Sequence, residues 1–287
     1  MSQNKSVLEP LYAQYLKERQ YLAGFSPRTI KLFRWVFNRW DALIGEMPTK
    51  QNLKEWVIKL NESGIKPITI NSYARVFNAF LTWLLEEGHI PERIRVSKVK
   101  EGQRPFKVYS EDTLHKLLRF NPRTFSEHRI YTLICVGIDT GCRIDELLTL
   151  RREGVDLDNL LITVIGKGDK ARIIPISLEC RKVLYKFLRL HKFDFIFPTK
   201  QGNKLSYRTA LDQLKSTAKQ LGITGKVGFH MLRHTFATSY LRDGGNLIYL
   251  QRILGHSDIA ITKIYVANQT EDLALMHRKT SLLSKLK

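Results

Sequence analysis

The stretch Gly228-Phe-His-Met-Leu-Arg-His-Thr-Phe-Ala-Thr238, near the C-terminus, predicts a helix that carries polar side chains at its start. His230 and Arg233 are three positions apart, so on a helix they share one face. The apolar positions at helical spacing predict the face that anchors this helix in a core. These positions are Leu232, Phe236, Tyr240 and Leu241.

A second polar group follows in Leu254-Gly-His-Ser-Asp258 and Ile264-Tyr-Val266. Gly255 predicts a helix end with His256 just beyond it, and Tyr265 comes nine positions later. Transesterification of a phosphodiester needs a nucleophile, hydrogen-bond donors for the developing charge and a route for protons. Tyr265 is the candidate nucleophile and His230 the candidate base, while Arg233 and His256 are candidate donors. Taken singly, each feature has an ordinary explanation, because most tyrosines pack and His-x-x-Arg arises by chance.

The upstream stretch Asp139-Thr-Gly-Cys-Arg-Ile-Asp-Glu146 adds a third group. A helix is predicted to end at Gly141, and Arg143 then begins the next helix with Glu146 three positions on. Alone, this pair reads as a surface ion pair of little energetic value. Together, in this order and spacing, the three groups resemble the tyrosine recombinase (lambda-integrase-like) family, particularly its small Xer-type, phage and transposon members. The resemblance is strong over residues 107–275.

The resemblance implies a mainly helical fold in two domains. Residues 1–104 would form a four-helix core-binding bundle (SAM-like) with a basic linker. Residues 105–287 would form a mostly helical catalytic domain with a small antiparallel β-sheet. It implies an active recombinase in which Arg143, Arg233 and His256 hold the scissile phosphate and Glu146 orients the site. Tyr265 would form a 3′-phosphotyrosine intermediate, with strand exchange passing through a Holliday junction.

Two short β-type runs at 160–165 and 171–176 flank Gly166-Lys-Gly-Asp-Lys170 and predict a hairpin with a glycine-rich tip. A lysine in such a turn is ordinarily a solvated residue. The resemblance implies instead that Lys167 is the catalytic lysine that protonates the leaving 5′ oxygen. Lys170 and Arg172 are then expected to contact the DNA backbone, and Arg208 is a further candidate on charge alone.

The composition favours a polyanionic partner. The 287 residues carry 47 Lys and Arg against 27 Asp and Glu, a net charge of +20. No apolar run approaches the ~18 residues of a membrane span, and Met1-Ser-Gln-Asn-Lys lacks the apolar core of a signal peptide. The three cysteines show no metal-ligand spacing. A cytoplasmic, nucleoid-associated protein of bacterial, phage or mobile-element origin is expected.

The first 90 residues predict four helices, which begin near Leu8, at Ser26-Pro27, near Leu53 and at Pro67. The stretch 91–110 has no periodicity and an excess of basic residues, which predicts a linker with a domain boundary near 104. The DNA contacts expected in this third of the chain are Lys31, Arg34, Arg75, Arg95, Lys98, Lys100 and Arg104.

No P-loop and no cluster of carboxylates is present, so neither a nucleotide nor a metal is expected as cofactor. The expected partners are double-stranded recombination sites, a tetramer of this chain on DNA and accessory proteins. A terminal helix with Leu282, Leu283 and Leu286 would pack on its own protomer or on a neighbour. A type IB topoisomerase-like enzyme and a non-catalytic DNA-binding protein are the alternatives. Integration, transposon resolution and chromosome-dimer resolution stay open, as does the target site.

Overall fold

The computed structural model describes residues 7–102, 106–166 and 169–266. The chain divides into two compact units, Met1–Arg104 and Pro105–Lys287, and each has an apolar core. The described residues are mainly helical with one small antiparallel sheet. The predicted fold class is therefore confirmed.

Four helices make up the described part of the first unit, and their starts follow from local capping. At the second helix, the Ser26 hydroxyl accepts from the Thr29 N–H at 3.2 Å, and Pro27 occupies the first position. The third begins earlier than the predicted Leu53, because Thr49 and Asn52 cap each other's backbone N–H groups. The bounds are α1 (Glu9–Tyr21), α2 (Pro27–Leu43), α3 (Lys50–Glu62) and α4 (Pro67–Glu86).

Aromatic rings fill the core between these helices. Trp40 of α2 stacks on Phe77 of α4 with ring centroids 4.5 Å apart, and Trp56 of α3 lies 5.0 Å from the same ring. All three are essentially inaccessible to solvent. Since the apolar stripes face inward, the basic residues Lys31, Arg34 and Arg75 are left exposed.

The segment after α4, which the sequence predicts to be a basic linker, packs against α4. It has no helix or strand, as predicted, but two asparagines of α4 hold it. The Asn78 amide bonds both the N–H and the carbonyl of Val96, at 2.7 and 3.0 Å. Asn71 does the same for Val99, at 2.8 Å each way. The segment is therefore part of the first unit up to Val99, while its basic side chains Arg95, Lys98 and Lys100 remain exposed.

The second unit alternates helices with a three-stranded sheet of order β1-β2-β3. The predicted hairpin is present, with Ile162 opposite Ile174 and Ile165 opposite Ala171; β1 was not predicted. Pro175 ends β3 at the sheet edge, where a missing N–H is tolerated. The helices are α5 (Glu111–Leu118), α6 (Phe125–Thr140), α7 (Ile144–Thr149), α8 (Leu178–Leu188), α9 (Tyr207–Gln220), α10 (Phe229–Arg242), α11 (Leu247–Leu254) and α12 (Ile259–Val266). The strands are β1 (Val155–Asp156), β2 (Leu161–Ile165) and β3 (Ala171–Pro175).

Helix α6 is the centre of this unit and positions the polar residues around its end. Every residue from Thr132 to Gly137 is buried. Gly137 lets α10 approach closely, since a Cβ there would lie 3.1 Å from Leu232 Cδ1. The helix ends at Gly141 in a left-handed conformation (φ 62°). The start of α7 is thereby placed beside α10.

Among the described helices, none combines the length and the apolar character needed to cross a membrane.

Candidate active site

Arg143 stands at the N-terminal cap of α7 and is tied to Glu146 through both its backbone and its side chain. The Arg143 N–H donates to Glu146 Oε2 at 2.8 Å, and its guanidinium donates to Oε1 at 3.1 Å. A further bond from the guanidinium reaches the Leu254 carbonyl at 3.2 Å. The side chain is still 39% exposed, so an anion in solution has access to it.

Glu146 is buried, and its main partner is Arg172 of β3. The Arg172 guanidinium donates to both carboxylate oxygens at 2.8 Å and to the Ile253 carbonyl at 2.8 Å. Burial acts to raise the pKa of Glu146, but these bonds and the Arg172 charge outweigh it and hold the pKa below its usual range. Glu146 is thus a fixed anion that positions both arginines.

The prediction that Arg172 contacts the DNA backbone is not supported by its position. Its side chain is only 15% exposed, and its guanidinium is engaged inside the protein. Gly255 leaves the space that the Arg172 side chain occupies, because a Cβ there would come within 2.9 Å of the Arg172 guanidinium carbon. The sequence pattern did not reveal this because Arg172 alternates with apolar residues on a strand, as a solvated basic residue would.

Arg233 of α10 is buried, and in the described part of the chain it forms no ion pair. Its guanidinium donates to the carbonyls of Gly141 and Leu254 and to His256 Nε2, each at 2.8 Å. Burial lowers its pKa to about 10, so the guanidinium is charged at neutral pH. A buried cation surrounded by neutral acceptors favours an anionic ligand.

His256 follows the left-handed cap at Gly255 (φ 65°), and its tautomer follows from its partners. Arginine can only donate, so Nε2 accepts from Arg233 and the proton is on Nδ1, which lies 2.9 Å from the Thr262 hydroxyl. Burial and the nearby Arg233 and Arg143 charges lower the pKa of His256 to about 4. In this structure Nε2 is an acceptor rather than the predicted donor.

Tyr265 of α12 is 2% exposed and packs against the apolar side of α10. Its hydroxyl lies 3.0 Å from Nδ1 of His234. Burial raises the pKa of Tyr265, whereas the Arg233 guanidinium acts to lower it. The phenol is therefore protonated at neutral pH and lies next to a cation that stabilises its phenolate.

The structure brings Arg143, Glu146, Arg233, His256 and Tyr265 together, as the sequence predicts. It does not bring His230 to Tyr265: His230 is exposed in the first turn of α10, and no hydrogen bond joins the two in the described residues. Lys167 and Arg104 lie outside those residues. Lys170 and Arg208 are exposed, as a DNA contact requires.

The residue that the sequence reasoning missed is His234. It stands in the quoted stretch, four positions after His230, and the four-residue spacing was a usable signal because both histidines then share a face. A cleft of about 860 Å³ runs along this face, and His230 and His234 contribute to its wall. The basic residues that line the cleft are Lys107, Lys215, Lys219 and Lys226.

Comparison with known proteins gives this geometry its context. Residues 107–272 match the phage integrase family. The chain belongs to that family. The match includes every predicted catalytic residue and confirms the resemblance seen in the sequence.

Relatives and solved structures extend over nearly the whole chain. Tyrosine recombinase XerC of Shewanella amazonensis is 28% identical, covering 96% of this chain and 96% of its own length. Tyrosine recombinase XerA of Thermococcus kodakarensis is 29% identical, covering 100% and 99%. The Tn1549 transposon integrase, solved in complex with transposon right end DNA, superposes with a TM-score of 0.77 at 22% identity, covering 95% and 98%. That structure supports the fold.

No cluster of three or more His, Cys, Asp or Glu side chains that could hold a metal ion occurs in residues 7–102, 106–166 and 169–266.

Proposed function

We propose that this chain is a site-specific DNA recombinase that cuts and rejoins DNA through a 3′-phosphotyrosine intermediate. One observation carries the proposal. Arg233 is buried and charged, its partners are neutral groups, and the Tyr265 hydroxyl lies beside it. This arrangement provides an anion site and a nucleophile in one place.

The scissile phosphate would bind between Arg143 and Arg233. Both guanidinium groups are held by the Leu254 carbonyl, at 3.2 and 2.8 Å, so they converge on one point. Two guanidinium groups can each present paired N–H donors to the non-bridging oxygens. The phosphate charge would also favour protonation of His256, which converts Nε2 from an acceptor into the donor that the sequence predicts.

The reaction then needs no external energy source. Tyr265 Oη attacks phosphorus, the P–O5′ bond breaks and Lys167 supplies the proton to the 5′ oxygen. The phosphotyrosine keeps the free energy of the phosphodiester, so a 5′-hydroxyl from the partner strand reverses the step without metal or ATP. Repetition on the second strand pair resolves a Holliday junction.

The first unit would clamp the DNA through the exposed basic residues of α2, α4 and the segment after α4. Strand exchange between two duplexes requires four active sites, so a tetramer on two recombination sites is the proposed assembly. The XerC and XerA relatives are named as tyrosine recombinases, which supports the proposal of site-specific recombination but says nothing of the assembly.

A nicked suicide DNA substrate tests the proposal, because loss of the short 5′-hydroxyl fragment traps the covalent adduct. The site is obtained by selecting bound DNA from a random library. Wild-type protein should give an adduct on a denaturing gel and Tyr265→Phe none, with DNA binding unchanged. The exposed Tyr185→Phe on α8 is the matched control for losing a phenol hydroxyl and should form the adduct. An adduct with Tyr265→Phe, or none with wild type on bound DNA, contradicts the proposal.

A further inference from the structure

The Tyr265 hydroxyl lies 3.0 Å from Nδ1 of His234, and its other side-chain partner is the Arg233 guanidinium. We propose that His234 is the base that receives the Tyr265 proton when the tyrosine attacks DNA. The inference rests on the proposed function and replaces His230 in that role.

The direction of the hydrogen bond follows from the groups around the hydroxyl. Arg233 lies close enough to act on Tyr265 and can only donate. Its charge attracts the oxygen lone pairs, and the phenol proton is left to face the remaining partner, Nδ1. His234 must then be neutral, and burial together with the His230 and Arg233 charges lowers its pKa. At neutral pH Nδ1 is therefore an acceptor.

Phe106 holds the two rings in this arrangement. It stacks on His234 with centroids 4.7 Å apart and an interplanar angle of 28°, and it lies 5.3 Å from the Tyr265 ring. The apolar ring thus contacts both members of the proton-transfer pair. The groups that face His234 are His230 and Arg233 from α10, Tyr265 from α12 and, along the cleft they share, Lys107.

The proton balance closes in both directions. On cleavage the Oη–H proton moves to His234 Nδ1, the Oη–P bond forms, and the P–O5′ electron pair stays on O5′, which takes a proton from Lys167. On ligation the 5′-hydroxyl returns its proton to Lys167 and attacks phosphorus, the Oη–P bond breaks and the imidazolium returns its proton to Oη. The pair thus works as Ser and His do in acyl transfer.

The test compares His234→Asn with His234→Ala in single-turnover cleavage of the suicide substrate. Asn places an oxygen near the position of Nδ1, so it keeps the hydrogen bond to Tyr265 but cannot take up a proton. We expect both variants to cleave about 10²–10⁴-fold more slowly, with DNA affinity unchanged. The exposed His115→Asn on α5 is the control and should cleave at the wild-type rate.

Two readouts separate a base from a structural residue. The wild-type cleavage rate should rise with pH and reach a plateau once His234 is deprotonated, and His234→Asn should lose that plateau. A bridging 5′-phosphorothiolate, whose leaving group needs no proton, should rescue Lys167→Ala but not His234→Asn.

Wild-type cleavage by His234→Asn, or its rescue by the phosphorothiolate, would overturn the assignment. Those results leave the proposed function intact as long as Tyr265→Phe forms no adduct. An adduct with Tyr265→Phe instead overturns the proposed function and this inference together.

Discussion

At the scale of single residues, the site depends on one glycine as much as on its charged groups. Gly255 ends α11 in the left-handed region, places its neighbour His256 beside Arg233 and leaves space for the Arg172 guanidinium. A side chain at this position meets two separate obstacles, the backbone conformation and the contact with Arg172. Gly64 and Gly222, which are also left-handed, meet only the first.

Replacing Gly255 with Ala separates these two effects when it is compared with Gly222→Ala. Gly222 has nearly the same backbone angle (φ 64°) but open space around its Cα, so its replacement should cost about 1–2 kcal/mol of folding free energy. Gly255→Ala should cost clearly more and should also slow DNA cleavage, because Arg172 must move. Urea unfolding and the suicide-substrate assay measure the two effects. Equal costs at the two positions would contradict this account.

The lowered pKa of His256 predicts a pH-dependent stability. An unfolded histidine titrates near pH 6.5, whereas folded His256 titrates at about 4. The contribution of His256 to the free energy of unfolding is fully present above pH 6.5. It is lost as the pH falls, because the unfolded chain then binds a proton that the folded chain does not. Between pH 7 and pH 5, the wild type should lose about 2 kcal/mol more of its free energy of unfolding than His256→Gln does. Unfolding free energies at both pH values measure it, and an unchanged pH dependence would count against the buried neutral His256.

At the scale of elements, the hairpin of β2 and β3 is joined to α7 and α11 by one buried ion pair. Arg172 on β3 meets Glu146 on α7 and the last turn of α11 through the Ile253 carbonyl. The hairpin that carries Lys167 is thereby fixed to the helices that carry Arg143 and precede His256. We infer that the pair aligns catalytic groups from separate elements.

Glu146→Gln should be strongly destabilising, because it leaves the buried Arg172 guanidinium without a counter-charge. Breaking a buried pair from one side typically costs about 3–5 kcal/mol. Glu92→Gln is the control, since its bond to Lys50 is exposed (59% and 64%) and should be worth less than about 1 kcal/mol. Thermal and urea unfolding compare the two, and similar small losses would show that Glu146 does not hold the hairpin.

The elements also show what the sequence can and cannot predict. Helices with apolar stripes and local caps, such as those at Ser26-Pro27 and Pro67, were predictable because their signals are local. The α3 start was misplaced, because Asn52 replaces the Glu or Gln of the usual capping box. The Arg172 ion pair and the His234 contact join residues 26 and 31 positions apart. Such contacts depend on tertiary packing, which periodicity does not encode.

At the scale of the whole molecule, charge is the dominant property. A net charge of +20 exceeds what solubility requires and suits binding along phosphates. In the first unit the exposed basic residues are on helix faces opposite the aromatic core and along the segment bound by Asn71 and Asn78. The binding free energy of the proposed clamp therefore does not depend on the DNA sequence, and contacts to the bases would supply specificity.

DNA binding should consequently be strongly salt-dependent. A protein that contacts 6–10 phosphates loses about 10³–10⁵ in affinity between 50 and 200 mM salt. Arg34→Gln should lower the slope of log affinity against log salt by about one. Lys50→Gln is the control, because the Lys50 ammonium is paired with Glu92. Fluorescence anisotropy over this salt range measures the slope, and a flat response would contradict the clamp.

The central claim is that Tyr265 attacks DNA, and mass spectrometry of the trapped adduct tests it most directly. The adduct is digested with protease and nuclease, and the cross-linked peptide is fragmented to locate the nucleotide. We predict a peptide in which Tyr265 carries a nucleotide through a 3′-phosphate. A linkage at any other residue, or through a 5′-phosphate, would contradict the account.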